Sequence, residues 1–333
     1  MNFSLLDMPS VSVIIPTYNY ANYIIEAINS VLQQDYPKNK IEIIIIDDGS
    51  TDNTKQILKD LIHHKIIQYH YQENRGKASA TCKAIQRTTG KYIFNLDADD
   101  FFLPQKIKQS VEAFETDENI VHVATPAKIF DEKINTIIGN ETLPKDILGV
   151  SINGQSLLNF FYNNNIFYGS GSTYAARAGV LKQINIPEAT DMYIDEFLVL
   201  AVLPFGKSFF IPEPLSVWRV HSSNYSGIIK NEAQQKIKSQ RLLNASSAIL
   251  LYLQEHKYNE KLIKIYKLKN SNRLMAYKEF ERSKNLTDII NYAKEVFIDI
   301  KPGWKLIKKY QVLNRLLPMS LFFLLKKISG KSL

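Results

Sequence analysis

The sequence predicts an α/β fold: a mostly parallel sheet with helices on both faces, followed by a C-terminal helical region. Three observations carry that expectation. Continuous β-branched runs, "VSVII" at 11–15 and "IEIIII" at 41–46, have the character of strands buried on both faces. The segments between such runs repeat apolar residues at helical spacing, and repeated strand–helix–strand units build parallel sheets. Beyond Gly227 the pattern becomes helical, through "AILLYLQEH", "NRLMAYKEFERS" and "TDIINYAKEVF".

Each element has its own local reason. "YANYIIEAINSVLQQDYP" sets Ile24, Ala27, Ile28, Val31 and Leu32 on one helical stripe and stops before Pro37. From about Thr51, "STDNTKQILKDLI" offers a Ser/Thr/Asp start and a stripe of Ile57, Leu58, Leu61 and Ile62. "IIQYHY" at 66–71 reads as the next strand, followed by a helix near 76–87, a break at Gly90 and the strand "YIFNL" at 92–96. A further helix is expected in "FFLPQKIKQSVEAF", with Pro104 in its first turn. From about 120 to 225 the pattern is mixed: short strands in "IVHVAT" and "KSFFI", a Gly/Ser loop "YGSGST" at 168–173, and a helix in "DEFLVLAVL" at 195–203. A boundary near 227 would divide the chain into 1–226 and 227–333.

In open parallel sheets, ligands bind outside the carboxyl ends of the strands. Those ends here are "PTYN", "DDGS", "QENRG" and "DADD", all polar. Asp97, Asp99 and Asp100 fall within four positions and repel one another unless a cation sits among them. Hard oxygen donors suit Mg²⁺ or Mn²⁺, and Mg²⁺ sites typically combine one or two carboxylates with substrate phosphates. The cluster therefore predicts a metal that also needs a phosphate. The competing expectation is that these aspartates cap the helix that follows, Asp100 first among them. "PTYN" and "DDGSTD" supply an aromatic ring, hydroxyls and carboxylates for a nucleobase and ribose, although ordinary turn chemistry would explain either one alone.

Composition sets the outer limits. At 333 residues, 45% hydrophobic and 22% charged, the chain can bury a full-sized core and a smaller second unit. A single cysteine, Cys82, excludes an internal disulfide and a cysteine-based zinc cluster, in keeping with a reducing compartment. "MNFSLLDMPS" lacks the features of a signal peptide, and no run approaches the ~18 apolar residues of a spanning helix. A cytoplasmic location is the expectation. The net charge of +8 is unevenly spread: from Lys230 onward there are 22 Lys and Arg against 8 Asp and Glu, and before it 19 against 25.

Taken together, "VSVIIPTYNYANYIIEAINSVLQQDYP", "IEIIIIDDGSTD", "ENRGKASA" before "TGKYIFNLDADDFFLP", and "IPEPLSVWRVH" at 211–221 resemble family 2 glycosyltransferases of the GT-A fold, built on a Rossmann-like sheet. The stretch from 105 to 165 matches little. The resemblance implies an inverting enzyme that moves sugar from a nucleotide-sugar, commonly a UDP-sugar, to the hydroxyl of a glycan or lipid-linked acceptor in surface-polysaccharide or glycan assembly. The missing Gln-x-x-Arg-Trp signature of processive synthases, with no spanning run, points to transfer of a single sugar. The resemblance also implies roles for particular residues. Pro16, Thr17, Tyr18, Asn19 and Asp48 would line the nucleoside, with Asp47 supporting that turn. Asp97, with Ala98 beside it, would face the ribose or the ion. Asp99 would be the main ligand to Mn²⁺ or Mg²⁺ bridging the diphosphate, and His221 would add a further donor. Asp195 stands at the position of the catalytic base, but Ile194 replaces the usual Glu and Glu196 follows, so Glu196 is the alternative base. Thr81 and Cys82 stand where relatives often carry Arg-Asn facing the diphosphate, leaving Arg75 or Lys77 to supply that charge. Gly169, Ser170, Gly171 and Asp191 are the candidates for acceptor contact.

Two other classes compete: a sugar-phosphate nucleotidyltransferase on a similar sheet, and a non-catalytic homologue that binds nucleotide-sugar as a scaffold. Against the first, "PTYNY" is not the Gly-rich signature usual after the first strand. "FGKS" at 205–208 lacks the spacing of a phosphate-binding loop, and no G-x-G-x-x-G follows the first strand. Residues 300–333 carry eight Lys and Arg and no Asp or Glu, interleaved with Trp304, Tyr310 and "LFFLL". That composition suits an anionic membrane surface, with packing on the catalytic domain or in a homo-oligomer as the other expectation. Nucleic acid is disfavoured, since no recognisable module accompanies the charge.

Overall fold

The computed structural model describes residues 8–222, 231–299 and 309–318. Its first strand, β1 (Val11–Thr17), is buried along its whole length. It is followed by α1 (Ile24–Leu32), which buries Ile24, Ala27, Ile28 and Val31 from the expected stripe. Next comes β2 (Ile41–Asp47). The helix expected from Thr51 is instead two short pieces, α2 (Thr54–Ile57) and α3 (Lys59–His63), broken at Leu58. Asp52 starts the first piece by accepting from the Thr54 backbone N–H and hydroxyl. After these, β3 is shorter than expected (Gln68–Tyr71), and Ile66 lies exposed in the turn before it. The next elements, α4 (Lys77–Arg87) and β4 (Tyr92–Asn95), fall where the sequence places them.

The middle of the chain holds what periodicity did not resolve. Phe101 and Phe102 form the two-residue strand β5, so the next helix, α5 (Lys106–Glu115), starts later than Pro104. It is followed by β6 (Ile120–Ala124), β7 (Ala127–Asp131), β8 (Thr136–Asn140), β9 (Ser151–Asn153) and α6 (Gly154–Asn164). The remaining elements up to residue 222 are β10 (Tyr174–Arg177), α7 (Ala178–Leu181), α8 (Ile194–Val202), β11 (Lys207–Phe210) and β12 (Ser216–Val220).

Two sheets result. The larger has eight strands in the order β3-β2-β1-β4-β10-β6-β11-β9. Its β3, β2, β1 and β4 are mutually parallel, and β11 is parallel to β6, whereas β10 runs antiparallel between β4 and β6. The order reverses beside β1, where β2 lies on one side and β4 on the other; such a reversal opens a crevice at the strand ends. The smaller sheet, β5-β12-β7-β8, is absent from the sequence expectation. Its strands are short, and β8 shows no inward apolar face from which an alternating pattern could be read.

The chain divides into two compact units, one of residues 1–158, 167–188 and 194–227, the other of 159–166, 189–193 and 228–333. Two short segments of the first 226 residues thus belong to the second unit. That unit is helical: α9 (Glu232–Glu255), α10 (Glu260–Phe280), α11 (Leu286–Lys294) and α12 (Lys309–Leu316). Asn231, Asn259 and Asn285 cap the first three by accepting backbone N–H groups, and Asn285 with Asp288 completes a capping box. Its interior includes Ile249, Leu253, Leu262, Ile265 and Leu268, with Tyr162 and Tyr266 edge to face. Buried Lys284 and partly buried Arg315 both engage Glu279. No described helix is long and apolar enough to cross a membrane. Most of the basic apolar segment, including Lys301, Trp304, Lys305, Lys308, "LFFLL", Lys326, Lys327 and Lys331, lies outside the described residues.

Close backbone packing at the start of α6 yields a first test. A Cβ on Gly154 would stand 1.9 Å from the Leu203 carbonyl oxygen, whereas one on Gly179, inside α7, would meet nothing within 4 Å. Gly154→Ala should cost ~1–3 kcal/mol in urea denaturation. Gly179→Ala should be neutral or stabilise by up to ~1 kcal/mol.

Candidate functional site

The strand ends are tied together before any ligand is considered. Asn19, just after β1, sits at φ 58° and accepts from the backbone N–H of Thr51 at 2.7 Å, while its own N–H donates to Ser50 Oγ at 2.9 Å. Ala21 N–H donates to Asp52. These bonds latch "PTYN" to "DDGSTD". Asp47, buried, accepts from Ser50 N–H at 2.7 Å and from the Tyr69 hydroxyl at 2.6 Å, so its carboxylate shapes the turn. Asp48 accepts from Gln72 Nε2 at 2.7 Å, Arg75 N–H at 2.9 Å and Gly76 N–H at 2.8 Å, which fixes the loop entering α4. Pro16 and Ala98 are buried, Tyr18 is 46% exposed, and the buried Thr17 hydroxyl has no hydrogen-bond partner among the described residues. A buried hydroxyl without a partner beside an exposed ring at the end of a central strand is a fitting place for a polar ligand edge.

The acidic turn is held from several sides. The helix-capping expectation is wrong: α5 takes Gln105 as its N-cap, with no side-chain acceptor. Asp100 accepts instead from the Ser172 hydroxyl and from Arg219 N–H at 3.0 Å. Burial, then the charges of Asp99 and Asp97, raise its carboxyl well above the ordinary range, with the two hydrogen bonds acting against them. Asp99 lies 3.1 Å from Nε2 of His221, and its backbone carbonyl accepts from Arg219 Nε at 2.9 Å. The His221 ring is fully buried and rests on Tyr23, ring centres 4.5 Å apart. Arg219 is held among Tyr23, Phe101 and Phe130 and ion-pairs with Glu26. The small sheet thus delivers His221 and Arg219 to the acidic turn.

Lys77 closes the other side. Its Nζ lies 2.9 Å from Asp97 Oδ1 and 2.9 Å from Asp195 Oδ2, at the start of α8. Burial opposes the charge of Lys77, but Asp195 and Asp97 outweigh it and raise its pKa. Burial raises the Asp195 carboxyl, Lys77 opposes, and Asp97 and Asp99 add to the rise. Glu196 follows Asp195 in the same first turn. Gly171, at φ 55°, passes close by: a Cβ there would stand 3.6 Å from Asp97 Oδ2 and 4.0 Å from the Asp195 carboxyl carbon. Arg75 reaches outward to Glu188, a well-exposed pair. Asp191 belongs to the second unit, where it pairs with Arg241.

No cluster of three or more His, Cys, Asp or Glu able to hold a metal occurs among the described residues. Asp99 and His221 do provide a carboxylate and an imidazole nitrogen side by side, a two-donor set that suits an ion whose other ligands come from phosphate.

Comparison with known proteins places this geometry. The model of the family described as glycosyl transferase family 2 matches residues 12–184. The chain belongs to that family. An uncharacterized glycosyltransferase of Nostoc sp. is 31% identical over 239 residues, covering 69% of this chain and 71% of its own. One from Haemophilus influenzae is 29% identical, covering 91% and 96%. Among solved structures, residues 1–349 of S. aureus TarS in complex with UDP-GlcNAc align with TM-score 0.58 at 16% identity, covering 97% of this chain and 92% of that one. A mannosyltransferase from Pyrobaculum calidifontis, in complex with GDP-Man and Mn²⁺, aligns with TM-score 0.52 at 19% identity, covering 98% and 89%. The fold of this family 2 member is therefore GT-A.

Sequence reading missed several residues that build the site. Ser172 donates to Asp100 and accepts from Asp97 N–H at 3.1 Å. Buried Lys106 donates to the Thr173 carbonyl at 2.8 Å, and burial lowers its pKa to about 7, with Glu141 opposing. His122, fully buried in β6, donates from Nε2 to the Gly169 carbonyl at 2.9 Å, so its Nδ1 accepts from Ser208 Oγ at 2.8 Å. Nothing in their spacing marks them, because each meets its partner through the sheet.

His122 supplies a pH test. Burial lowers its pKa to about 4, the Gly169 bond opposing and Lys106 assisting. The unfolded state takes up the proton below about pH 6.5, so the stability present above that pH is lost as pH falls towards 4. The loss attributable to this group is on the order of 3 kcal/mol. In denaturation series from pH 7 to 4, His122→Gln should flatten that part of the decline.

Proposed function

We propose that this chain is an inverting glycosyltransferase that transfers one sugar from a UDP-sugar to the hydroxyl of a glycan or lipid-linked acceptor. The observation that carries the reading is the convergence of Asp195 on the acidic turn: one lysine nitrogen touches both Asp195 and Asp97. A carboxylate able to take a proton thereby stands beside the turn suited to a nucleotide diphosphate. The complex of TarS with UDP-GlcNAc supports a uridine donor, while the complex with GDP-Man keeps the guanosine donor as an experimental arm.

In this reading Thr17 and Tyr18 receive the nucleobase, Asn19 and Asp47 hold the turn that shapes that pocket, and Asp48 fixes the loop leading to α4. Asp97 faces the ribose. Asp99 and His221 would hold Mn²⁺ or Mg²⁺, which when bound supplies positive charge against the departing diphosphate. Asp195 removes the proton of the acceptor hydroxyl as that oxygen attacks the anomeric carbon and the bond to the diphosphate breaks on the opposite face. Gly169, Ser170 and Gly171 border the acceptor side, since Gly171 lies over both carboxylates. Membrane attachment through the basic C-terminal segment remains part of the proposal, on its charge and apolar content alone.

Two measurements test it. Calorimetry with UDP, GDP and dTDP, each with Mn²⁺ and with EDTA, should show metal-dependent binding strongest for UDP and lost in Asp99→Asn. Asp195→Asn should keep UDP affinity while turnover falls by ~10²-fold or more. Intact turnover in that variant would move the base to Glu196, and pyrophosphate release from UTP would replace the reading with a nucleotidyltransferase.

A further inference from the structure

We infer that Lys77 is a positioning residue for the catalytic carboxylate rather than a ligand of the nucleotide phosphates. This rests on the proposed role of Asp195 and adds to it the group that sets where Asp195 stands.

An ammonium carries three N–H donors and no acceptor. Those of Lys77 face two carboxylates: Asp97 Oδ2 at 3.0 Å, Asp195 Oδ1 at 3.1 Å and Asp195 Oδ2 at 2.9 Å. Its charge is thus balanced inside the protein by two carboxylates, with which a phosphate oxygen would have to compete. The backbone agrees with that role. Lys77 is the first residue of α4, entered through Gly76 at φ 91°, and Asp48 accepts the N–H groups of Arg75 and Gly76. The lysine stem therefore starts from a fixed point, which a residue that sets a distance requires.

Without Lys77, the Asp97 and Asp195 carboxylates would face each other across Gly171 with no cation between them, and like charges so placed move apart. The loop and the start of α8 would relax, and the proton acceptor would leave the line of attack. Misplacement of a reacting group by about 1 Å costs on the order of 10²-fold in rate. Nucleotide affinity would change by a few-fold at most, because Thr17, Tyr18, Asp99 and His221 do not depend on this bridge and only the Asp97 contact to the ribose does.

The experiment uses full-length Lys77→Met, Lys77→Arg, Asp195→Asn and the Lys77→Met/Asp195→Asn double variant. The probes are UDP with Mn²⁺ for affinity, and release of UDP from the UDP-sugar that gives the fastest release with the unaltered chain. Expected for Lys77→Met are a UDP Kd within about 3-fold of the unaltered protein and a kcat lower by about 10²-fold. Lys77→Arg should recover at least about a tenth of the rate, because its cation can bridge the same carboxylates. The double variant should be little slower than Asp195→Asn, as residues acting as one unit are not additive. A UDP Kd weakened by more than about 10-fold in Lys77→Met would make Lys77 a phosphate ligand and overturn the inference. So would losses that multiply in the double variant. Asp195→Asn with intact turnover would instead sink the underlying base assignment, an outcome read from that variant alone.

Discussion

Mutual repulsion among four carboxylates is the constraint on which the site depends. Asp97, Asp99, Asp100 and Asp195 interact electrostatically at the ends of the sheet, and each needs a compensating partner. Asp100 finds one in the Ser172 hydroxyl and the Arg219 N–H. Asp99 meets His221, while Asp97 and Asp195 share Lys77. These partners come from α4, the loop before β10, and β12, so the acidic turn draws distant parts of the first unit to one place. An excess of charge that would disfavour folding if left alone becomes, once compensated, the means of assembling the site.

The small sheet has its role in that context. It places Arg219 and His221 where β12 ends, with aromatic faces of Tyr23, Phe101 and Phe130 around the guanidinium. Arg219 then contacts the acidic turn through its side chain and its backbone at once. An imidazole beside Asp99 and a guanidinium that holds the acidic turn are thus two positions apart on one short strand and its exit. Beneath the opposite side, His122 and Lys106 secure the backbone carbonyls of Gly169 and Thr173, so the Gly/Ser loop bordering Asp97 and Asp195 rests on buried donors.

Much of this was legible in the sequence. The runs at 11–15, 41–46 and 92–96 gave three adjacent parallel strands, because a strand buried on both faces must be apolar throughout. Their polar endings pointed to the candidate site, since the fold places ligands at strand ends. What stayed hidden has a common cause. Asp100 was open to reading as a helix cap because local sequence shows an acid before a helix, whereas Ser172 and Arg219, its partners, are 72 and 119 positions away. Likewise Leu58, one of the stripe residues, ends one short helix and precedes another.

By itself the sequence determined which chemistry was available: carboxylates at the strand ends, an aromatic and hydroxyls beside them, a family resemblance confirmed over residues 12–184, and a basic helical remainder. Tertiary structure alone decided which of those groups act on one another. It turned Asp47 and Asp48 towards their own loops, sent Arg75 outward to Glu188, assigned Asp191 to the second unit, and brought Lys77 between Asp97 and Asp195. The reason is physical: periodicity and turn chemistry act over a few residues, whereas the partner of a charge is whatever the folded chain brings within about 3 Å of it.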